Sequence, residues 1–449
     1  MTIIDEVPVA SAARVYAEGW QSWSPTTWYQ RGDAGHRPAE AWQHLMRFRP
    51  GTPLPEDGVQ GEGLLVVDPG DGASAHVYAT LDASREVPSI RAEWLPDRVL
   101  VHADEPVDQW TTAAAPAPAA DAGVGTAEGE AAASAPSGEH PALTGFGERF
   151  GAAAGARSAA SVPRVWCTWY RYFEDVTASD VLENLAAIGE RGLPVDVVQI
   201  DDGWSLGTGE WTRPRPDFGS LADAVAAIRG SGRRAGLWLA PFSVGAASDL
   251  AQRHPEWLTG PAGYNWGDDL AGLDLTRPDV RSYLVDVFST VRELGVDYLK
   301  LDFLYAGAVP GPRHDVDATP IAAYRSGLEL IRDVMGEDAF LLGCGAPILP
   351  SVGLVDAMRV SPDTFHEGGE DGSQGLRGRM SLEARAWQHG RLWTTDPDCL
   401  VARPSFALRD EWADVVLGAP GLRGFSDRIA ELDDHGLDLV RRLLEEPTP

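Results

Sequence analysis

The chain has 449 residues, 44% of them hydrophobic, enough for one large domain and a smaller one. Its 67 acidic residues against 37 basic ones leave a net charge of −30, which excludes unaided binding to nucleic acid or an anionic membrane, because both need a basic face. Three cysteines without CxxC spacing, no basic leader ahead of an apolar core, and no apolar run of bilayer length predict a cytoplasmic protein without a membrane anchor.

Residues 1–111 are rich in Trp and Pro and contain short apolar stretches such as GLLVV and HVYATL, which predict a short, partly β region. Residues 112–139 (TAAAPAPAADAGVGTAEGEAAASAPSGE) carry almost no large apolar side chain. They cannot bury enough surface to order themselves, so a linker or loop is expected there. From residue 140 the pattern becomes strands alternating with helices, opening with a helix over Leu143–Ala153. Strands are predicted at Arg164–Trp169, Val195–Asp201, Ala235–Ala240, Val296–Asp302, Phe340–Cys344, Ala357–Ser361, Leu392–Thr395 and Leu422–Ser426. Amphipathic helices fall at Ala178–Arg191, Leu221–Arg229, Pro278–Leu294, Ile321–Met335, Leu382–Gln388 and Asp434–Leu444. Eight strands with helices between them argue for a (β/α)8 TIM barrel over residues 140–449.

In such a barrel the C-terminal ends of the strands form the active site. Polar and aromatic residues gather there: Trp169 and Tyr170 on the first strand, Asp201 and Asp202 on the second, Trp238 on the third. The fourth carries Lys300 and Asp302, the fifth ends at Cys344, and the sixth carries Arg359 and runs into Asp363. The seventh leads into Asp396-Pro397-Asp398. Lys300 is the only lysine among the 37 basic residues, which suggests a slot that wants a compact ammonium and not a planar fork. Residues two apart on a strand share a face, so Lys300 and Asp302 point together into the mouth, and the ammonium is expected to keep the carboxylate ionised. The plainer alternative is a buried ion pair that only fixes the core. Asp201-Asp202 reads as a pair of acceptors for sugar hydroxyls or, more simply, as a helix cap. Pro362 ends its strand and lifts Asp363 into the mouth, where repulsion from Asp302 would suit a general acid; alone, Asp363 is an ordinary turn aspartate. Tryptophans mostly pack cores, but Trp169 and Trp238 fall at strand ends, where an indole can stack on a sugar. The ten histidines show no HExxH or other ligand spacing, so neither metal nor cofactor is expected.

The stretches WQSW (20–23), WCTWYRYF (166–173), VQIDDGW (198–204), GLWLAPFSV (236–244), YLKLDFLYAGAVPG (298–311), LLGCGAPILPSVG (341–353), MRVSPDT (358–364) and DPDCL (396–400) resemble the α-galactosidases of glycoside hydrolase family 36, in the same clan as family 27. The resemblance implies a retaining double displacement on a small-molecule α-galactoside. Asp302 would attack the anomeric carbon. Asp363 would protonate the leaving oxygen and then activate water. Asp201, Asp202, Lys300 and Arg359 would hold the galactose hydroxyls, while Trp23, Trp169, Tyr170, Trp238 and Cys344 would line the pocket. The N-terminal region is shorter than the family's usual β-sandwich, and a homo-oligomer is left open. Three other readings stand beside this one: an α-N-acetylgalactosaminidase or galactosyl-transferring enzyme of the same clan, a Schiff-base lyase using Lys300, and a non-catalytic sugar-binding protein.

Overall fold

The run Leu64-Leu65-Val66-Val67 is buried on every residue, although a strand exposes alternate faces. The computed structural model, which describes residues 1–33, 35, 41–55, 58–112, 140–157, 161–364 and 378–446, shows why. A four-stranded sheet (Thr2–Pro8, Arg98–Ala103, Ser89–Trp94, Val59–Glu62) packs on a five-stranded one (Thr27–Gln30, Arg14–Ala17, Leu64–Asp68, Ala75–Ala79, Asp108–Thr112). Leu65 and Val67 fill the core between these sheets with Val7, Ile90 and Val101. Leu64 and Val66 point the other way and join the main core of the molecule. The five-stranded sheet is thus apolar on both faces, and its second face is the seat of the barrel.

The barrel strands are β1 (Arg164–Cys167), β2 (Val197–Ile200), β3 (Arg234–Leu239), β4 (Val296–Leu301), β5 (Phe340–Gly343), β6 (Ala357–Arg359), β7 (Thr394–Asp396) and β8 (Arg423–Phe425). They pair in parallel in the order β7-β6-β5-β4-β3-β2-β1-β8. The ring closes where the Leu422 amide donates to the Thr395 carbonyl at 2.9 Å and Leu400 bridges Phe425. Period-two alternation sorts each strand. Val198, Ile200, Leu299 and Leu301 face the helices. Val165, Val197, Tyr298, Leu342 and Ala357 cluster inside. The inward series along β2 and β4 therefore reads Val197-Gln199-Asp201 and Tyr298-Lys300-Asp302, apolar at the bottom and charged at the top.

Helix ends are written locally. Thr177 and Asp180 form a reciprocal capping box on Ala178–Glu190. Ser220, Thr319 and Asp433 cap Leu221–Gly230, Pro320–Met335 and Asp434–Glu445. Gly295 ends Pro278–Leu294 with φ 92°, a left-handed turn that leads directly into β4.

Four features differ from the sequence reading. β1 stops at Cys167, so Trp169 and Tyr170 ride on a one-turn helix, Trp169–Tyr172, and not on the strand. The helix expected over Leu382–Gln388 divides into Arg379–Ala384 and a 3-10 turn at Ala386–Gln388. After β3 the chain makes an unexpected small sheet of Ser243–Gly245, Leu258–Asn265 and Asp268–Leu273, and the short helix Ala41–Arg47 lies against it. A further helix, Arg409–Gly418, was also not foreseen. Beyond Thr112, the stretch read as a linker lies outside the described residues. Among the described residues no helix is long and apolar enough to cross a membrane.

One polar knot joins the N-terminal region to the barrel. Glu18 and Arg385 are both fully buried and meet at 2.7 Å. Glu18 also accepts from Tyr16 and Gln388, while Arg385 donates to the carbonyls of Gln21, Ser22 and Val360. A buried pair of this kind is tolerated only when its remaining donors and acceptors are satisfied, as they are here. Its effect is to press the turn Trp20–Trp23 onto the barrel, where Ser22 bonds Ala346 in both directions.

Candidate active site

The turn Trp20–Trp23, the helix Ala41–Arg47 and the small sheet all overhang the C-terminal mouth of the barrel. Between them and the strand ends lies a cavity of ≈ 340 Å³. Its floor is Asp201, Asp202, Lys300 and Asp302; Asp363 and Trp169 form one side; Trp23, Trp238, Trp266 and Phe303 form an aromatic wall.

Lys300 donates to Asp201 at 3.0 Å, and this pair is almost wholly buried. Asp302, expected to share its face with Lys300, makes no direct bond to it and feels the ammonium through space, which lowers its pKa. Burial works against the Lys300 charge, but Asp201 and Asp302 outweigh it and hold the amine well above the usual lysine range. It is a fixed cation, a poor start for a Schiff base. Asp201 is further tied by Gln199, by the Cys167 thiol at 3.3 Å and by the Asp202 amide at 3.0 Å.

The adjacent aspartates therefore divide their roles. Asp201 bonds Lys300, while Asp202 lines the cavity with Trp266. Burial pushes Asp202 up to about 7, Asp201 and Glu174 add to the rise, and the Gly203 amide opposes it.

Asp302 follows β4 and is 7% exposed. Its Oδ2 accepts the Trp238 indole N–H at 3.0 Å and its Oδ1 the Phe303 amide at 2.8 Å. Burial raises its pKa; Lys300, the Cys344 thiol and Trp238 pull it back, while Asp363 adds to the rise. Phe303 itself sits at φ 49°, a left-handed conformation uncommon for a bulky residue. That turn swings the chain away just after the carboxylate and stacks the ring edge-on against Trp23 at 4.9 Å.

Asp363 is far more open, with its side chain 39% exposed. It accepts the Trp169 indole N–H at 3.2 Å and the Arg359 guanidinium at 2.7 Å. Each of the two carboxylates thus receives an indole N–H from a different strand end. Trp169 and Trp238, read from sequence as strand-end indoles, bond these acids, and both rings also line the cavity.

Two residues expected to line the pocket lie beneath it. Tyr170 is buried and bonds Asp398, Arg359 and the Thr364 amide. Cys344 is buried beside Asp302, with burial and that carboxylate keeping it a thiol. Arg359, 2% exposed, spans Asp363 and Asp398. Sequence reasoning missed Trp42, Asn265, Trp266 and Glu174 in the cavity wall. The signal for Trp266 was the Asn-Trp-Gly-Asp turn between two strands, a hairpin cue that was readable.

Comparison with known proteins fits this geometry. The melibiase family profile matches residues 158–331. The bifunctional α-galactosidase/sucrose kinase AgaSK of Mediterraneibacter gnavus is 29% identical over 160 residues, covering 32% of this chain and 16% of that protein. An α-galactosidase of Escherichia coli is 29% identical over 131 residues, 27% of this chain and 18% of its own length. These alignments thus take in less than a fifth of either relative. The α-galactosidase TtGalA of Thermus thermophilus, solved with p-nitrophenyl α-D-galactopyranoside, superposes with a TM-score of 0.79 at 28% identity, covering 98% of this chain and 88% of that one. The GH36 α-galactosidase AgaA of Geobacillus stearothermophilus shares the fold at a TM-score of 0.62 and 14% identity, over 98% of this chain and 61% of that one. The fold and the acid-lined mouth define a (β/α)8 barrel protein, and the matched segment is similar to the melibiases. Within that class the chain is similar to the GH36 α-galactosidases.

Proposed function

We propose that the protein releases terminal α-linked galactose from small-molecule galactosides by a retaining double displacement, with Asp302 as nucleophile and Asp363 as acid/base. The observation that carries this reading is the pair of carboxylates in unlike surroundings on one cavity. Asp302 is enclosed near a fixed ammonium, whereas Asp363 is open to the entrance. In the first step Asp302 bonds to the anomeric carbon while Asp363 gives its proton to the departing oxygen. In the second, Asp363 takes a proton from water, which displaces Asp302. Both inversions proceed within one site when the carboxyls stand ~5–5.5 Å apart. Asp202, Lys300 and Asp201 supply acceptors and a donor for ring hydroxyls, and Trp23, Trp266 and Phe303 offer an apolar wall to the sugar face. The choice of galactose rests on the likeness to TtGalA and AgaSK. On this reading residues 140–449 carry the chemistry, and residues 1–111 complete the pocket through Trp23 and the helix Ala41–Arg47.

Product stereochemistry tests the assignment. An aryl α-galactoside followed by NMR should yield α-galactose first; β-galactose as the first product overturns retention. With azide, Asp302→Gly should give the β-galactosyl azide by direct attack, and Asp363→Ala the α-galactosyl azide by way of the glycosyl-enzyme. The reverse pattern would swap the two roles.

A further inference from the structure

Asp398, in the DPDCL motif after β7, takes no part in the steps above, yet it is 1% exposed and held from several directions. It meets the Arg359 guanidinium at 2.5 Å, accepts the Thr364 amide at 2.9 Å and the Tyr170 hydroxyl, and takes the Cys399 amide on its other oxygen at 2.7 Å. Its backbone sits at φ 83°, strain that persists only where the surroundings over-determine it. Thr364 directly follows Asp363, and the Arg359 nitrogen that meets Asp398 also meets Asp363. One carboxylate therefore grips both supports of the other.

We propose that Asp398 is a positioning residue for the acid/base: it anchors the Asp363 loop through the Thr364 amide and divides the charge of Arg359 between two carboxylates. The inference rests on the reading of Asp363 as acid/base. Among the described residues, the titratable and charged groups that bear on Asp398 are Arg359 and Asp363 from the β6 end, Tyr170 from the helix after β1, and its neighbours Asp396 and Cys399. Burial pushes Asp398 up to about 6, Arg359 pulls it back, and Asp363 and Asp396 add to the rise. At neutral pH it is mainly an anion. An anion there repels the ionised form of Asp363 and keeps Arg359 from neutralising it fully, so Asp363 retains its proton to higher pH.

The test compares kcat/KM against pH for the wild type, Asp398→Asn, Tyr170→Phe and Asp363→Ala. The substrates are methyl α-galactoside, whose leaving group needs a proton, and dinitrophenyl α-galactoside, whose leaving group does not. Asn keeps the shape and tolerates the left-handed backbone. Asp398→Asn leaves Arg359 undivided, so the basic limb should move down by about one pH unit, and methyl galactoside should lose about tenfold more than the dinitrophenyl substrate. Tyr170→Phe removes one donor from Asp398, weakens its anion, and should shift both readouts the same way by less. An equal loss on both substrates with an unmoved limb makes Asp398 merely structural and overturns the inference. If thermal unfolding shows Asp398→Asn misfolded, the same criteria on Tyr170→Phe decide. Asp363→Ala separates the two levels: without leaving-group discrimination there, the acid/base assignment itself fails, whereas discrimination there and in neither other variant sinks the Asp398 inference alone.

Discussion

Lys300 is set between two acids that ask different things of it. With Asp201 it makes a direct charge-assisted bond, which places the ammonium; toward Asp302 it acts as a field that favours the carboxylate. An arginine preserves the charge but neither the reach nor the shape, so Lys300→Arg should lower kcat/KM by roughly 10²-fold, measured on an aryl galactoside. Lys300→Met should leave enough turnover to read a pH profile. Asp302 must be ionised to attack, and burial already raises its pKa, so the acid limb of kcat/KM in the wild type should lie above the ordinary aspartate value of ~3.9. Removing the ammonium takes away the chief lowering influence, and the limb should move up by about a further pH unit. A limb that stays put would mean that Lys300 serves Asp201 only.

At the scale of elements, one turn carries the aromatic wall. Gly345 follows β5 at φ 51°, and a Cβ there would lie 2.9 Å from the Trp23 ring and 3.1 Å from the Phe303 amide. Gly345→Ala should cost about 1–2 kcal/mol in the left-handed conformation and push Trp23 off its seat. Galactoside KM should rise more than kcat falls; an unchanged KM would place Trp23 outside the binding surface. The eight barrel strands were legible because each is a short apolar run, and some lead on to helices with a side-chain cap, as at Thr177, Ser220, Thr319 and Asp433; both signals are local. The acids at their ends were legible for related reasons: Asp201 and Asp302 stand one step past an apolar run, and Asp363 follows the strand-ending Pro362. What escaped depends on contacts distant in sequence. The helix Ala41–Arg47 is seven residues long and gains its place from the small sheet, where Gly263 makes room for Met46. The bond from Lys300 to Asp201 was not readable, because strand alternation shows which side chains share a face, not which acid two strands away lies within reach. Tyr170 and Cys344 stand at the level of the acids but are buried and do not line the cavity, which depends on packing from several strands.

The whole molecule is a barrel seated on a sheet that serves two cores. Residues 112–139 contain almost no large apolar group, so replacing 115–135 by a short polar linker should leave the unfolding midpoint and galactoside turnover near wild type. A deletion that abolishes folding would make the segment structural and the proposed division at 111 and 140 wrong. The knot of Glu18 and Arg385 sets a condition of another kind, one of timing. The two residues are separated by 367 positions, and a ribosome needs roughly 20–70 s to add that length at ~5–20 residues per second. Until then Glu18 has no guanidinium to meet. Its carboxylate must stay hydrated through that interval, and the turn bearing Trp23 has nothing to press it home. Nascent chains halted before residue 385 should therefore hold most of a barrel with an unfinished roof, so the roof of the cavity is among the last parts to come into being, although Trp23 is made long before Arg385.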